Sequence, residues 1–90
     1  MHQRFGLNDG IPKFDGKVHG EKFLDWLKFV EELFEYHDTP DNRKVRSVDI
    51  KFKNYASFWW KNLNEKREIE GRSKIITWDN MKRELKRKYL

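Results

Sequence analysis

The segment YASFWWKNL, residues 55–63, contains two adjacent tryptophans, whose placement gives the strongest indication of the fold. Ala56 precedes Trp59 by three residues and Leu63 follows Trp60 by three, so these four side chains share one side of a helix. Successive helical residues point about 100° apart, which lets the two indoles cover adjoining sectors. Such a pair could fill a core, stack nucleic-acid bases or line a docking groove. The helical spacing favours the core.

Composition limits the chain to one small domain of 90 residues. It contains 4 Trp, 3 Tyr and 7 Phe, and each such side chain buries about 150–250 Å². A compact core is therefore feasible although 39% of the residues are charged. With no cysteine, disulfides, thiolate nucleophiles and Cys-containing zinc sites are excluded. No apolar run approaches the ~20 residues of a membrane span, so we expect a soluble intracellular protein with no membrane partner.

The net charge of +5 is distributed unevenly along the chain. Residues 1–42 contain 5 Lys and Arg against 9 Asp and Glu, which gives −4. Residues 43–90 contain 15 against 6, which gives +9. This asymmetry indicates either a polyanion-binding half or attraction between copies of the chain.

Residues 1–20 are predicted to be an extended N-terminal arm, because glycines and turn signals recur in them. Ile11, Phe14 and Val18 are the apolar residues available to anchor it. Residues 21–90 are predicted to be the helical domain, beginning with an amphipathic helix over 21–36.

Three further helices are predicted downstream. The second starts at the N-cap Thr39 and stops near Asn54, and the third runs from about Tyr55 to Glu70. The last follows the N-cap Thr77. The fold class is thus all-α, a compact bundle of four short helices with an arm. The predicted core residues are Phe23, Trp26, Leu27, Val30, Ala56, Trp59, Trp60, Leu63, Trp78, Met81 and Leu85.

No pattern of catalytic, cofactor or metal-binding residues is found in the sequence. His2, His19 and His37 have no ligand spacing, and the glycines match no phosphate-binding loop. Glu31 and Glu35 lie one helical turn apart, as acids on an exposed helix face often do. We therefore expect no enzyme, no cofactor and no metal site.

Five segments of the chain together resemble the Gag domain of gypsy-type LTR retrotransposons, particularly the plant versions. They are IPKFDG (11–16), FLDWLKFVEELFEY (23–36), DNRKV (41–45), YASFWW (55–60) and TWDNMKRELKRKYL (77–90). The resemblance implies the amino-terminal lobe of a capsid-like protein, a helical bundle related to the retroviral capsid fold. In that family the tryptophan pair mainly packs in the core. The resemblance also implies a location in the cytoplasm, with the nucleus as the alternative.

The chain also departs from the family pattern. Asn54 stands where the family often has glycine, and Ser47 and Asp49 occupy positions that are usually apolar or small. The sequence stops where the second capsid lobe would begin and lacks the Cys/His zinc knuckle. The expectation is an excised lobe or a domesticated Gag remnant.

Three functions follow as hypotheses. The first is a self-assembling structural module in particles that package element RNA, whose partners are other Gag copies and whose pairing charges are Glu31, Glu32 and Glu35 against Arg43, Lys44 and Arg46. The second is a monomeric peptide-binding adaptor derived from Gag, with a groove lined by Phe14, Phe23, Trp26, Tyr55 and Trp59. The third is weak, non-specific RNA binding through Lys82, Arg83, Lys86 and Arg87.

Overall fold

Four α-helices form the domain in the computed structural model, which describes residues 9–90. They are α1 (Glu21–Tyr36), α2 (Asp41–Asp49), α3 (Asn54–Ile69) and α4 (Trp78–Tyr89). The predicted all-α bundle is confirmed. Residues 1–8 of the predicted arm, with His2, lie outside the described residues.

Helices α1 and α4 supply most of the core, because each has apolar residues three or four positions apart. Their ends are joined by a backbone bond, in which the Gly20 amide donates to the Tyr89 carbonyl over 2.9 Å. The predicted cap of α4 is confirmed, since the Thr77 hydroxyl accepts from the Asn80 amide at 3.3 Å. The buried side chains of the two helices are Phe23, Leu27, Val30, Phe34, Trp78, Met81, Leu85 and Tyr89.

Residues 9–20 pack into the domain through Phe14. The Phe14 amide donates to the Lys51 carbonyl at 3.0 Å, and its carbonyl accepts from the Lys53 amide at 2.9 Å. These bonds form a single parallel bridge between Phe14 and Phe52. The Phe14 ring is buried, with its centroid 5.0 Å from that of Tyr89. This segment therefore contributes to the core.

Gly16 lets the arm approach α3 closely. Its φ of +85° lies in the left-handed region, and a Cβ there would be 2.8 Å from the Tyr89 hydroxyl oxygen and 3.0 Å from the Ala56 nitrogen. The preceding Asp15 carbonyl accepts from the Ala56 amide at 3.1 Å. Only a residue without a side chain fits this place unstrained.

Helix α2 is shorter than predicted at both ends. Thr39 is not its N-cap, because the Thr39 amide donates to the Phe34 carbonyl and closes α1; Pro40 precedes α2. The helix ends at Asp49, before the backbone of residues 51–53 pairs with the arm. Asn54 has a φ of 51°, yet it opens α3 rather than ending α2. The arm pairing, which no local signal revealed, sets this boundary.

Helix α3 is less buried than predicted. Ala56 is its one fully buried residue, whereas Trp59, Trp60 and Leu63 are half-buried and pack at the edge of the core. Trp26 of α1 is half-buried in the same way. The predicted core set also left out Ile11, Phe14, Phe34, Val45, Ser47, Val48, Phe52, Ile75 and Tyr89, all of which are buried.

Candidate interaction surface

A shallow groove lies where α3 meets the arm and the carboxyl end of α4. Its volume is about 550 Å³, and the rings of Tyr55, Phe58 and Trp59 contribute to its lining. Lys66 and Lys88 line it as well, and none of its described lining residues is acidic. The groove is thus an apolar surface with positive charge beside it.

The uncovered side of α3 explains this groove. Tyr55 and Phe58 are 68% and 69% exposed, and Ile69 at the far end of the helix is 86% exposed. Together with Asn62 and Lys66 they follow spacings of three and four, so they form one strip along the helix. The fold leaves this apolar strip without a covering element among residues 9–90.

A second uncovered strip runs along α1, on the side away from its buried residues. It consists of Asp25, Phe29, Glu32 and Tyr36, at spacings of four, three and four. Phe29 is 46% exposed and Tyr36 is 82% exposed. Acids and aromatic rings therefore alternate along the outside of α1.

Glu31, one of the predicted assembly charges, is bonded within the chain. Its Oε2 accepts hydrogen bonds from Trp78 Nε1 at 2.9 Å and from Lys82 Nζ at 2.8 Å. Partial burial raises the pKa of Glu31, but these bonds and the charges of Lys82 and Lys86 outweigh it, and the pKa lies below its ordinary value. Glu31 fastens α1 to α4.

The remaining acidic assembly candidates, Glu32 and Glu35, are exposed on α1. On α2, Arg43 and Arg46 are exposed and Lys44 is half-buried. Pairing of these charges between copies stays a prediction.

These α2 charges all have interactions within the same chain. Lys44 Nζ lies 5.5 Å from the centroid of the Phe34 ring. An Arg46 guanidinium nitrogen lies 3.5 Å from Asp49 Oδ1. Burial raises the pKa of Asp49, and the charge of Arg46 opposes this without cancelling it.

The predicted peptide groove is not one surface. Phe14 and Phe23 are buried in the core, and Trp26 packs on Phe14 with ring centroids 4.4 Å apart. Tyr55 and Trp59 instead line the α3 groove, to which Phe58 also belongs. Sequence reasoning missed Phe58, although its spacing of three from Tyr55 was visible.

The tryptophan pair divides between two surroundings. Trp60 packs on Phe52 with ring centroids 5.9 Å apart, next to the end of α2. Trp59 packs on Tyr89 at 5.6 Å and opens toward the groove. Both indoles thus pack against the core, and a docking role for Trp59 stays a prediction.

The predicted RNA-contact residues lie on α4. Lys82 takes part in the link between α1 and α4, and an Arg87 nitrogen lies 3.3 Å from Glu84 Oε2. Arg83 and Lys86 are exposed. Part of this basic face is therefore neutralised within the chain, and RNA contact stays a prediction.

The histidines at positions 19 and 37 have local contacts. His19 lies beside the ring of Tyr89, and His37 Nε2 is 3.1 Å from the Asp9 carbonyl oxygen. Across residues 9–90, no group of three or more His, Cys, Asp or Glu side chains is arranged to hold a metal ion. In the same part of the chain, none of the helices has both the length and the apolarity needed to cross a membrane.

The fold places the chain among all-α domains like the amino-terminal lobe of a capsid. Residues 9–90 match the family model described as the N-terminal capsid-like domain of retrotransposon-derived protein PEG10. The chain belongs to this family of Gag-like capsid domains, whose role is structural and not catalytic. No curated protein and no solved structure matches it.

Proposed function

We propose that the chain is a structural Gag module whose copies self-associate into particles. The uncovered aromatic strips of α1 and α3 are the observation that carries this proposal. In a domain this small, four rings left outside the core indicate a surface that another protein covers. The match to a family of capsid-like domains supports self-association with further copies of the chain.

The finer proposal places the chain in a gypsy-type LTR retrotransposon of the plant kind, or in a gene domesticated from one. Its particles would enclose element RNA in the cytoplasm, with the nucleus as the alternative location. Each contact between copies is weak on this view, because many copies together supply the total affinity.

Sedimentation velocity over a wide concentration range, at low and high salt, tests self-association. We expect growth beyond the monomer that weakens as salt rises, because exposed charges are screened. Electron microscopy of the associated fraction then shows whether closed particles form. A monomer at every concentration and both salt levels would contradict the proposal.

A charge-reversal variant sharpens the measurement. Glu32→Lys with Glu35→Lys reverses two of the exposed acidic charges of α1 and is expected to weaken association. Glu68→Lys with Glu70→Lys changes the net charge equally, from exposed positions at the carboxyl end of α3 and directly after it. Equal weakening by both pairs would show that net charge matters and that the α1 acids do not.

Peptide binding is the second candidate function, and the groove on α3 favours it. Tyr55, Phe58 and Trp59 offer an apolar lining and Lys66 and Lys88 offer positive charge, which suits an acidic peptide with aromatic residues. A monomeric chain whose Trp fluorescence changes on titration with such a peptide would support the adaptor role. A Lys66→Glu variant that binds the peptide equally well would contradict it.

RNA contact through α4 is supported by the exposed Arg83 and Lys86. Contact with phosphates predicts an affinity that falls steeply as salt rises. Filter binding to a single-stranded RNA at several salt concentrations measures this, and an affinity independent of salt would rule the mechanism out.

A further inference from the structure

We infer that the groove on α3 receives the outer strip of α1 from a second copy, so that copies associate head to tail. This inference rests on the proposed self-association and names the two surfaces that meet. The acidic strip is Asp25, Phe29, Glu32 and Tyr36, and the basic groove is Tyr55, Phe58, Trp59, Lys66 and Lys88.

The two surfaces agree in length. Asp25 and Tyr36 are separated by eleven residues, as are Tyr55 and Lys66. At 1.5 Å per residue, each surface extends about 16 Å along its helix. Two helices can lie along each other at an axial distance of about 8–10 Å, so strip and groove can be in contact over their full length.

The two surfaces also complement each other in charge. Acids and rings alternate on the strip, which has no basic member. The groove combines rings with Lys66 and Lys88, and its described lining has no acid. Apolar contact between rings and attraction between opposite charges can therefore form together. The outer strip of α1 is acidic, aromatic and helical, so a second copy of the chain can supply the occupant of the groove.

The contact is expected to be weak. Four partly exposed rings, each with a total surface of about 150–250 Å², cannot reach the ~1,600 Å² that stable complexes bury. Because the strip and the groove are different surfaces, each copy of a pair keeps one of the two free, the groove on one copy and the strip on the other. Such contacts repeat into rings or open chains, as an assembling particle needs.

Two double variants test the inference by complementation. Phe29→Ala with Tyr36→Ala breaks the strip, and Tyr55→Ala with Phe58→Ala breaks the groove. All four residues are exposed, so circular dichroism is expected to show both variants folded. Ile50→Ala with Ile76→Ala removes exposed apolar side chains outside both surfaces and serves as the matched control.

Sedimentation velocity on the whole chain provides the measurement. Each surface variant alone is expected to associate at least about tenfold more weakly than the wild type, with the control unchanged. An equimolar mixture of the two is expected to form a dimer that does not grow, because one intact strip meets one intact groove. A Glu32→Lys variant mixed with a Lys66→Glu variant is expected to recover association lost by each alone.

The outcomes separate the two proposals. A wild type that associates while both surface variants associate equally well overturns this inference and leaves self-association standing. Loss in both variants without recovery in the mixture overturns the head-to-tail pairing, because copies would then meet through both surfaces at once or through a different partner. A wild type that stays monomeric at every concentration overturns both proposals.

Discussion

Helices α3 and α4 use their apolar residues in opposite ways. The four large apolar residues of α4 are all buried, namely Trp78, Met81, Leu85 and Tyr89. Helix α3 has more apolar residues, yet Ala56 alone is fully buried. The narrow apolar stripe of α4 fits within one small core, whereas the wide apolar surface of α3 has more side chains than the core can bury. The surplus on α3 marks the side of the molecule that can take a partner.

The neighbours of each helix explain the contrast. Helix α4 is held by its Thr77 cap, by Glu31 and by the bond between Tyr89 and Gly20. The first turn of α3 bonds to the arm through the Ala56 amide, and the connector to α4 bonds back to it through Asn64, whose Oδ1 accepts from the Ile75 amide at 3.2 Å. These contacts leave the other side of α3 uncovered.

Truncating one leucine in each helix gives the largest expected effects. Leu85→Ala in α4 removes a fully buried side chain and is expected to cost about 2–5 kcal/mol of unfolding free energy. Leu63→Ala in α3 is expected to cost about half of that or less, because Leu63 is only half-buried. Urea unfolding measures both losses of unfolding free energy, and equal losses would contradict the difference in burial between α3 and α4.

The close approach of the arm to α3 predicts the next effect. Gly16→Ala is expected to cost roughly 2–4 kcal/mol, because a left-handed backbone conformation and a clash with Tyr89 add together. Gly71→Ala is the control: its φ is also positive, at +76°, but a Cβ there meets nothing within 4 Å. A cost for Gly71→Ala as large as that for Gly16→Ala would show that packing at Gly16 is unimportant.

The link between α1 and α4 predicts a pH-dependent effect. Glu31→Gln keeps an oxygen for Trp78 but removes the charge, and is expected to cost about 1 kcal/mol at pH 7, since Glu31 is partly exposed and screened. Because the folded pKa of Glu31 is lowered, its stabilisation is present above the ordinary value of 4.5 and is lost as pH falls through the folded pKa. Urea unfolding at pH 7 and pH 3 compares wild type and variant.

The exposed Glu35 supplies the control for that measurement. Glu35→Gln changes the same charge on the same helix and is expected to alter stability by less than about 0.5 kcal/mol. A cost of Glu31→Gln that persists unchanged at pH 3 would contradict a role for the carboxylate charge.

The smallest expected effect comes from replacing Asp49, which is expected to raise the stability instead of lowering it. Because the folded pKa of Asp49 is raised, the charged carboxylate costs stability once pH rises from its ordinary value of 3.8 through the folded pKa. Asp49→Asn is therefore expected to gain up to about 1 kcal/mol at pH 7 and nothing at low pH. Thermal unfolding at both pH values, with Asp25→Asn as an exposed control, tests this. A loss of stability at pH 7 would show that the ion pair with Arg46 outweighs burial.

Much of the fold was predictable because local signals are strong in α1, α3 and α4. The spacing of Phe23, Leu27, Val30 and Phe34 indicates one buried face, and Thr77 is a cap that needs only its own neighbours. The predicted start of α2 was wrong because the Thr39 amide bonds back to Phe34 of α1. Its predicted end was wrong because the arm, more than thirty residues earlier in the chain, pairs with residues 51–53.

The candidate surface was only partly predictable. Their spacing and charge point to Tyr55 and Trp59 for a groove and to Glu32 and Glu35 for assembly, and all four residues lie at the surface or at the edge of the core. Phe58 was missed, because a wide apolar helix does not show in its own sequence which side the domain leaves uncovered.

The all-α class, the four short helices and the Gag-like signature follow from the amino-acid sequence, since helical periodicity and capping depend on residues only a few positions apart. Which apolar residues stay outside the core, and which charges are paired inside the chain, depends on the packing of the helices and the arm. Glu31 is bonded to α4 while Glu32 stays exposed, and Trp60 packs on Phe52 while Trp59 opens toward the groove. Burial depends on partners distant in sequence, and adjacent residues of the same type therefore have different roles.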